Sequence, residues 1–164
     1  MVKKDIRITV EEYPSVDDLD QADRELMDLA EEAISNAYAA YSHYRVGAAL
    51  KLSNGKVFTG NNQENAAYPS GLCAERVAMF YAKSQYPDAS VEAIAISARA
   101  DDFVIQDAVA PCGACRQAMA EYENQQGEPI RVVMKGEKGP VLSVTSIHEL
   151  LPLMFHAEEL KRKK

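Results

Sequence analysis

Long apolar runs are missing: nowhere in the 164 residues is there a stretch near the roughly 18 uncharged apolar residues that a bilayer-crossing helix needs. Residues 1–10 alternate charged and apolar side chains and lack the apolar core of a secretory leader. These two absences predict a soluble, cytoplasmic protein with no membrane partner. Positive charge is scarce too, 18 Lys and Arg against 25 Asp and Glu, for a formal net charge of -7. An acidic surface repels phosphate backbones, which argues against nucleic acid as a partner. The one strongly basic segment, Lys161-Arg162-Lys163-Lys164, reads as a solvated helix end that favours the negative pole of the dipole. Cysteine is limited to Cys73, Cys112 and Cys115. An odd count without a leader argues against a disulfide framework and leaves metal binding, redox chemistry or inert burial.

What is present suits one domain, since 47% of residues are apolar, enough for one core but not two. Ile6, Ile8 and Val10 share one side of a two-residue period and predict a short strand. Ser15 ahead of Asp17 and Asp18 reads as a helix start, and apolar residues from Leu26 to Ala37 recur at helical spacing within residues 19–39. Strands are expected over 46–52 and 56–60, joined at Ser53-Asn54-Gly55, where Asn and Gly both tolerate positive φ. A helix follows over 72–85. The strand expected over 91–98 is nearly all apolar, as suits a strand covered on both faces. After a loop over 101–111 come a helix over 112–123 and strands over 130–135 and 141–145. Ser146 with Glu149 forms a capping-box pattern for a short helix that stops at Pro152. This order implies an α/β sandwich around one mixed sheet.

Two segments concentrate reactive side chains: Cys73-Ala74-Glu75-Arg76 and Pro111-Cys112-Gly113-Ala114-Cys115, each opening a predicted helix. Residues three apart share a helix face, so Cys112 and Cys115 can ligate one ion. The positive dipole end at a helix start stabilises thiolates. Cys73 can complete a three-thiolate site, and three protein ligands leave a fourth position for water, the pattern of catalytic zinc. Glu75 lies about 200° round a regular helix from Cys73. The two converge if Cys73 takes the non-helical cap, which Pro69 and Gly71 favour. The carboxylate then stands beside the metal, free to move protons.

Through these segments the chain resembles the homotetrameric, three-cysteine cytidine deaminases. The likeness extends to Arg116-Gln117, Val46-Gly47-Ala48-Ala49-Leu50, Asn62-Gln63-Glu64-Asn65-Ala66-Ala67-Tyr68 and Glu149-Leu150-Leu151-Pro152, five blocks in family order over about residues 25–155. The resemblance implies a three-layer α/β/α sandwich around a mixed five-stranded sheet. It implies Zn2+ held by Cys73, Cys112 and Cys115, with Glu75 carrying protons from water to ring N3 and to the leaving amine. The reaction so implied is hydrolytic deamination of cytidine and 2′-deoxycytidine, a step of pyrimidine salvage. By the same resemblance Arg76 bonds ligand sulfurs and offsets their charge, and Asn62 and Glu64 hold the ribose hydroxyls. Backbone groups near Ala66 and Ala74 would read the base edge, and Tyr44 would stack on the base where the family has Phe. Phe155 would close a neighbouring subunit's site in a homotetramer. Residues 1–164 are read as one deaminase domain in which 1–15 is an extension without family counterpart and 101–111 is longer than usual.

Other readings stand beside this one. A redox pair at Cys112 and Cys115 leaves Cys73 and Glu75 unexplained, and a structural zinc knot wants a fourth Cys or His at short spacing. His43, His148 and His156 fall outside the motifs and are expected at the surface or at helix ends. The same chemistry on another nucleoside-like amino-pyrimidine is the second enzymatic reading. A zinc- or redox-responsive binding protein is the third, and the intact Glu75 argues against it.

Overall fold

The structure, a computed structural model, describes residues 1–156; the basic tail 161–164 lies outside the described residues. In chain order the elements are β1 (Glu11–Tyr13), α1 (Gln21–Ala33), β2 (Tyr44–Leu52), β3 (Val57–Asn61) and α2 (Ala74–Gln85). There follow β4 (Val91–Ala100), α3 (Gly113–Gln126), β5 (Arg131–Lys135), β6 (Val141–Val144) and α4 (Ile147–Leu150). The strands form one sheet in the order β1-β6-β5-β4-β2-β3. Only β4 and β5 run parallel, and α3 is the crossover that such a pair requires.

Alternation along the strands builds three layers. Ala48, Leu50, Ile94, Ile96, Val132 and Met134 face α2 and α3, where Ala78, Met79, Cys115 and Met119 meet them. Ala49, Ala95, Val133 and Val141 point the other way, onto Leu26, Met27 and Ala30 of α1. β4 is thus covered on both faces, as its apolar run demands. α2 lies directly on β3: a Cβ at Gly60 would collide with the Ala74 carbonyl and the Ala78 amide. This close approach holds the start of α2 against the sheet.

The sheet has six strands rather than five, and the extra one comes from the N-terminal segment. It is not the strand expected at residues 6–10, where Ile6, Ile8 and Val10 are exposed with no face to bury. Pairing begins at Glu11, where Arg131 gathers Glu11 (3.1 Å), Asp23 (2.6 Å) and the Tyr13 hydroxyl (3.2 Å) against the edge of β6.

Three smaller expectations are also corrected. Ser15 caps a short 3-10 turn, Val16–Asp18, while Asp20 caps α1 by accepting from the Asp23 amide. α1 ends at Ala33, and the periodic residues beyond it continue only as a 3-10 turn, Ile34–Asn36. Ser146 caps α4 through the His148 amide, but Glu149 does not complete a box; its carboxylate accepts from the Thr9 amide at 2.7 Å. The β2–β3 turn forms where expected, with Gly55 at positive φ (79°) and the Asn54 side chain accepting from the Lys56 amide.

Candidate active site

Two helix starts converge below the sheet. Cys73 is the N-cap of α2 and Cys112 the N-cap of α3, both with extended backbone, and Cys115 sits one turn into α3. The Cys73 and Cys112 sulfurs are 3.8 Å apart, those of Cys112 and Cys115 3.5 Å, and all three lie within 4.8 Å of one another. A tetrahedral site with Zn–S bonds of about 2.3 Å separates its sulfurs by about 3.8 Å, so this cluster fits zinc without rearrangement. Because Cys73 is outside the helix proper, Glu75 escapes the opposition that regular helical geometry would impose. It is buried at 4% exposure and lines the same cavity as Cys73 and Cys112.

The electrostatics suit a metal. Hydrogen bonding from the Cys115 thiol, with help from Arg76 and Cys112, outweighs burial and pulls Cys73 down to about 5. Donating that bond, and burial, push Cys115 above the ordinary thiol range. The proton is thus held more tightly by Cys115 than by Cys73, whose place at the start of α2 favours the thiolate. Arg76 Nη2 approaches the Cys73 sulfur at 3.8 Å, while its buried Nε has no partner among the described residues. Burial raises the Glu75 carboxyl above the usual carboxylate range, and the neighbouring Cys73 charge adds to the rise.

A cavity of about 430 Å³ opens over these groups, lined by Tyr44, Asn62, Glu64, Cys73, Glu75 and Cys112 among others. Asn62 and Glu64 lie just past the end of β3 rather than within it, yet share this cavity. The Asn62 amide donates to the Tyr44 carbonyl (2.9 Å) and accepts from the Val46 amide (2.8 Å), tying the cavity rim to β2. Glu64 accepts from the Tyr41 amide at 2.8 Å and the Ser42 amide at 3.3 Å. Although burial opposes its charge, the Ser42 hydroxyl and these amides hold its carboxyl below the usual range.

Not every expected residue meets here. Ala74 is buried at the first turn of α2, Ala66 is exposed, and neither side chain lines the cavity. Phe155 is 68% exposed, its backbone held by two hydrogen bonds to Gln117 of α3. His43 and His148 are surface residues, as expected. Ser42, Val46, Ile96, Val109 and Ala110 complete the cavity wall, and no local pattern distinguishes them from ordinary strand and loop residues. Arg116 was also missed as a support; it donates to the Pro111 carbonyl (2.7 Å) and the Leu150 carbonyl (2.9 Å), fixing the approach to Cys112.

A buried carboxylate beside three convergent thiols, on a three-layer α/β sandwich, is the construction of a metal-dependent enzyme. Residues 20–127 match the cytidine and deoxycytidylate deaminase zinc-binding region. The chain is 38% identical over 137 residues to a probable cytidine deaminase of Dictyostelium discoideum, covering 84% of this chain and 86% of the other. It is 40% identical over 129 residues to a cytidine deaminase of Halalkalibacterium halodurans, covering 79% and 90%. The crystal structure of the cytidine deaminase from Burkholderia pseudomallei superposes with a TM-score of 0.69 at 40% identity, covering 80% of this chain and 97% of that one. The chain therefore belongs to the cytidine and deoxycytidylate deaminase zinc-binding family.

Proposed function

We propose that this protein hydrolyses cytidine and 2′-deoxycytidine to uridine and 2′-deoxyuridine, releasing ammonia, in pyrimidine salvage. The observation that carries the reading is the buried Glu75 carboxylate facing the same cavity as the sulfur cluster and the Asn62–Glu64 pair. Cys73, Cys112 and Cys115 would hold the zinc, which would lower the pKa of water at the open position toward neutrality.

Glu75 moves the protons. Water adds at C4 of the base, and Glu75 passes the proton it takes from that water to ring N3. The C4 hydroxyl then loses its own proton, which Glu75 carries to the amine as the C4–N bond breaks, leaving the C4 carbonyl and ammonia. A carboxyl raised by burial is suited to both halves of this transfer, because its carboxylate is a stronger base toward water and its protonated form is easier to reach near neutral pH. Arg76 offsets the negative charge of the thiolates. Glu64 and Asn62 take the ribose hydroxyls, the free carboxylate oxygen as acceptor and the amide as donor or acceptor. Tyr44 stacks on the base, and backbone groups near Ala66 and Ala74 read its edge.

Residues 1–164 function as one deaminase domain, residues 1–15 being an extension that reinforces the sheet edge. Work in the cytoplasm is part of the same proposal; no helix among the described residues is long and apolar enough to cross a membrane. Tyr68, Leu153 and Phe155 leave apolar surface uncovered, which supports a homotetramer in which Phe155 closes a neighbour's site.

The test is turnover of cytidine, followed by absorbance, in the parent and in Glu75→Gln with zinc measured in both. The parent should convert cytidine, and the variant should keep its metal while losing about 10²-fold or more in kcat. Equal rates in the two proteins would remove Glu75 from the chemistry. A zinc-loaded parent inert toward cytidine would shift the reading to another nucleoside-like amino-pyrimidine.

A further inference from the structure

The loop over residues 101–111 leaves the end of β4 and enters α3 at a metal ligand, Cys112. Its middle does not rest on the site. It is seated on the turn between β5 and β6, where the Glu137 carboxylate accepts from the Ala100 and Ile105 amides, both at 3.2 Å. Lys138 donates its backbone N–H to the Ile105 carbonyl at 3.0 Å. The approach is so close that a Cβ at Gly136 would collide with the Asp107 carbonyl and one at Gly139 with the Gln106 carbonyl. This seat is built from backbone and one carboxylate, with no room for a looser fit.

From the seat an apolar path leads back to the cavity. Ile105 is buried with Ala98 and Ala100, and Tyr44, Val46 and Val109 pack onto them. Those last three residues are themselves part of the cavity wall. Phe103, from the same loop, lies against the Tyr44 ring with centroids 6.4 Å apart. Burial first, and then the negative charge of Glu137, raises the Tyr44 phenol above its usual range, so the carboxylate is felt at the cavity rim.

We propose that Glu137 and Ile105 are positioning residues for the base-binding wall: the carboxylate keeps loop 101–111 on its seat, and the seated loop sets where Tyr44 and Val109 face the cavity. This rests on the reading of the cavity as a nucleoside site. The metal end of the loop is held separately, since Arg116 clamps the Pro111 carbonyl. Loss of the Glu137 anchor therefore loosens the base wall while leaving the sulfur cluster in place.

Steady-state kinetics on cytidine and calorimetric affinity for uridine, with zinc content, in the parent, Glu137→Ala and Glu137→Gln provide the test. Glutamine keeps an oxygen that accepts from both amides; alanine keeps none. Glu137→Ala should raise KM and weaken uridine binding by about tenfold with kcat within about twofold and zinc retained, the pattern of lost positioning in the ground state and transition state alike. Glu137→Gln should restore both constants to within about twofold of the parent. Unchanged KM and affinity in Glu137→Ala would overturn the proposal, as would equal losses in the two variants or a loss that tracks zinc content. If the parent binds uridine yet does not deaminate cytidine, the reaction assigned to the site fails; weaker uridine binding in Glu137→Ala alone would still support the loop's role.

Discussion

The Arg76 guanidinium and the Cys73 sulfur face each other across the first turn of α2, Nη2 to Sγ at 3.8 Å, with the Arg76 Nε buried and unpartnered among the described residues. A cation so placed lowers the thiol pKa and, once metal binds, spreads the negative charge of three thiolates. Arg76→Ala should raise the Cys73 pKa from about 5 in the metal-free protein, visible as a shifted ultraviolet thiolate titration. With zinc bound, turnover should fall by about 10- to 100-fold, the usual cost of losing a support behind a metal ligand. An unmoved titration would show that the contact carries no charge coupling.

Metal affinity should depend on pH in a stated direction. Cys115 holds its proton above the ordinary thiol range, whereas Cys73 sheds its own at about 5. Filling the site must then expel at least the Cys115 proton, and each expelled proton weakens apparent affinity about tenfold per pH unit of acidification. Chelator competition should find zinc held at least about 100-fold more weakly at about pH 6 than at about pH 8. A flat profile would mean that the cluster is already fully ionised before metal arrives.

Asn62 and Glu64 should separate in a paired experiment. Asn62 bonds two backbone groups of β2, so Asn62→Ala leaves both short of a partner and should cost about 1–3 kcal/mol of stability, read by denaturant unfolding. Glu64→Gln keeps an oxygen for the Tyr41 and Ser42 amides and should unfold like the parent. Its KM for cytidine should nonetheless rise about tenfold, because a hydroxyl loses a charged acceptor. The sugar assignment fails if KM is unmoved.

Phe155 offers a check on shared sites. Its ring is exposed, and its backbone is tied to α3 through Gln117. Phe155→Ala should retain zinc and unfold normally yet turn over cytidine about tenfold more slowly, if the ring completes a neighbour's pocket. Sedimentation should give four copies per assembly for the parent. Parental kinetics in the variant would remove the cross-subunit role.

Much of the chemistry was legible because its spacing is local. Cys112 and Cys115 share a helix face wherever that helix packs, and Pro69 and Gly71 foretold that Cys73 would sit outside its helix. The periodicity of α1 and the Asn-Gly turn between β2 and β3 are likewise properties of a few consecutive residues. Where local patterns had rivals, they misled. Ile6, Ile8 and Val10 alternate as a strand should but find no partner, and Ser15 caps a 3-10 turn instead of α1.

The sequence by itself determined which side chains could ligate a metal, which carboxylate stood ready beside them, and where most helices and strands would form. Only the tertiary structure brought Cys73 to within 3.8 Å of Cys112, 39 residues later, because Gly60 lets α2 lie flat on β3 while the parallel β4–β5 pair forces α3 to cross beside it. It also decided that Glu149 would serve Thr9 rather than its own helix, and that Glu137 would anchor a loop ending at the active site. Such contacts join segments far apart in the chain, and their stability comes from packing on a shared sheet, which no short window of residues encodes.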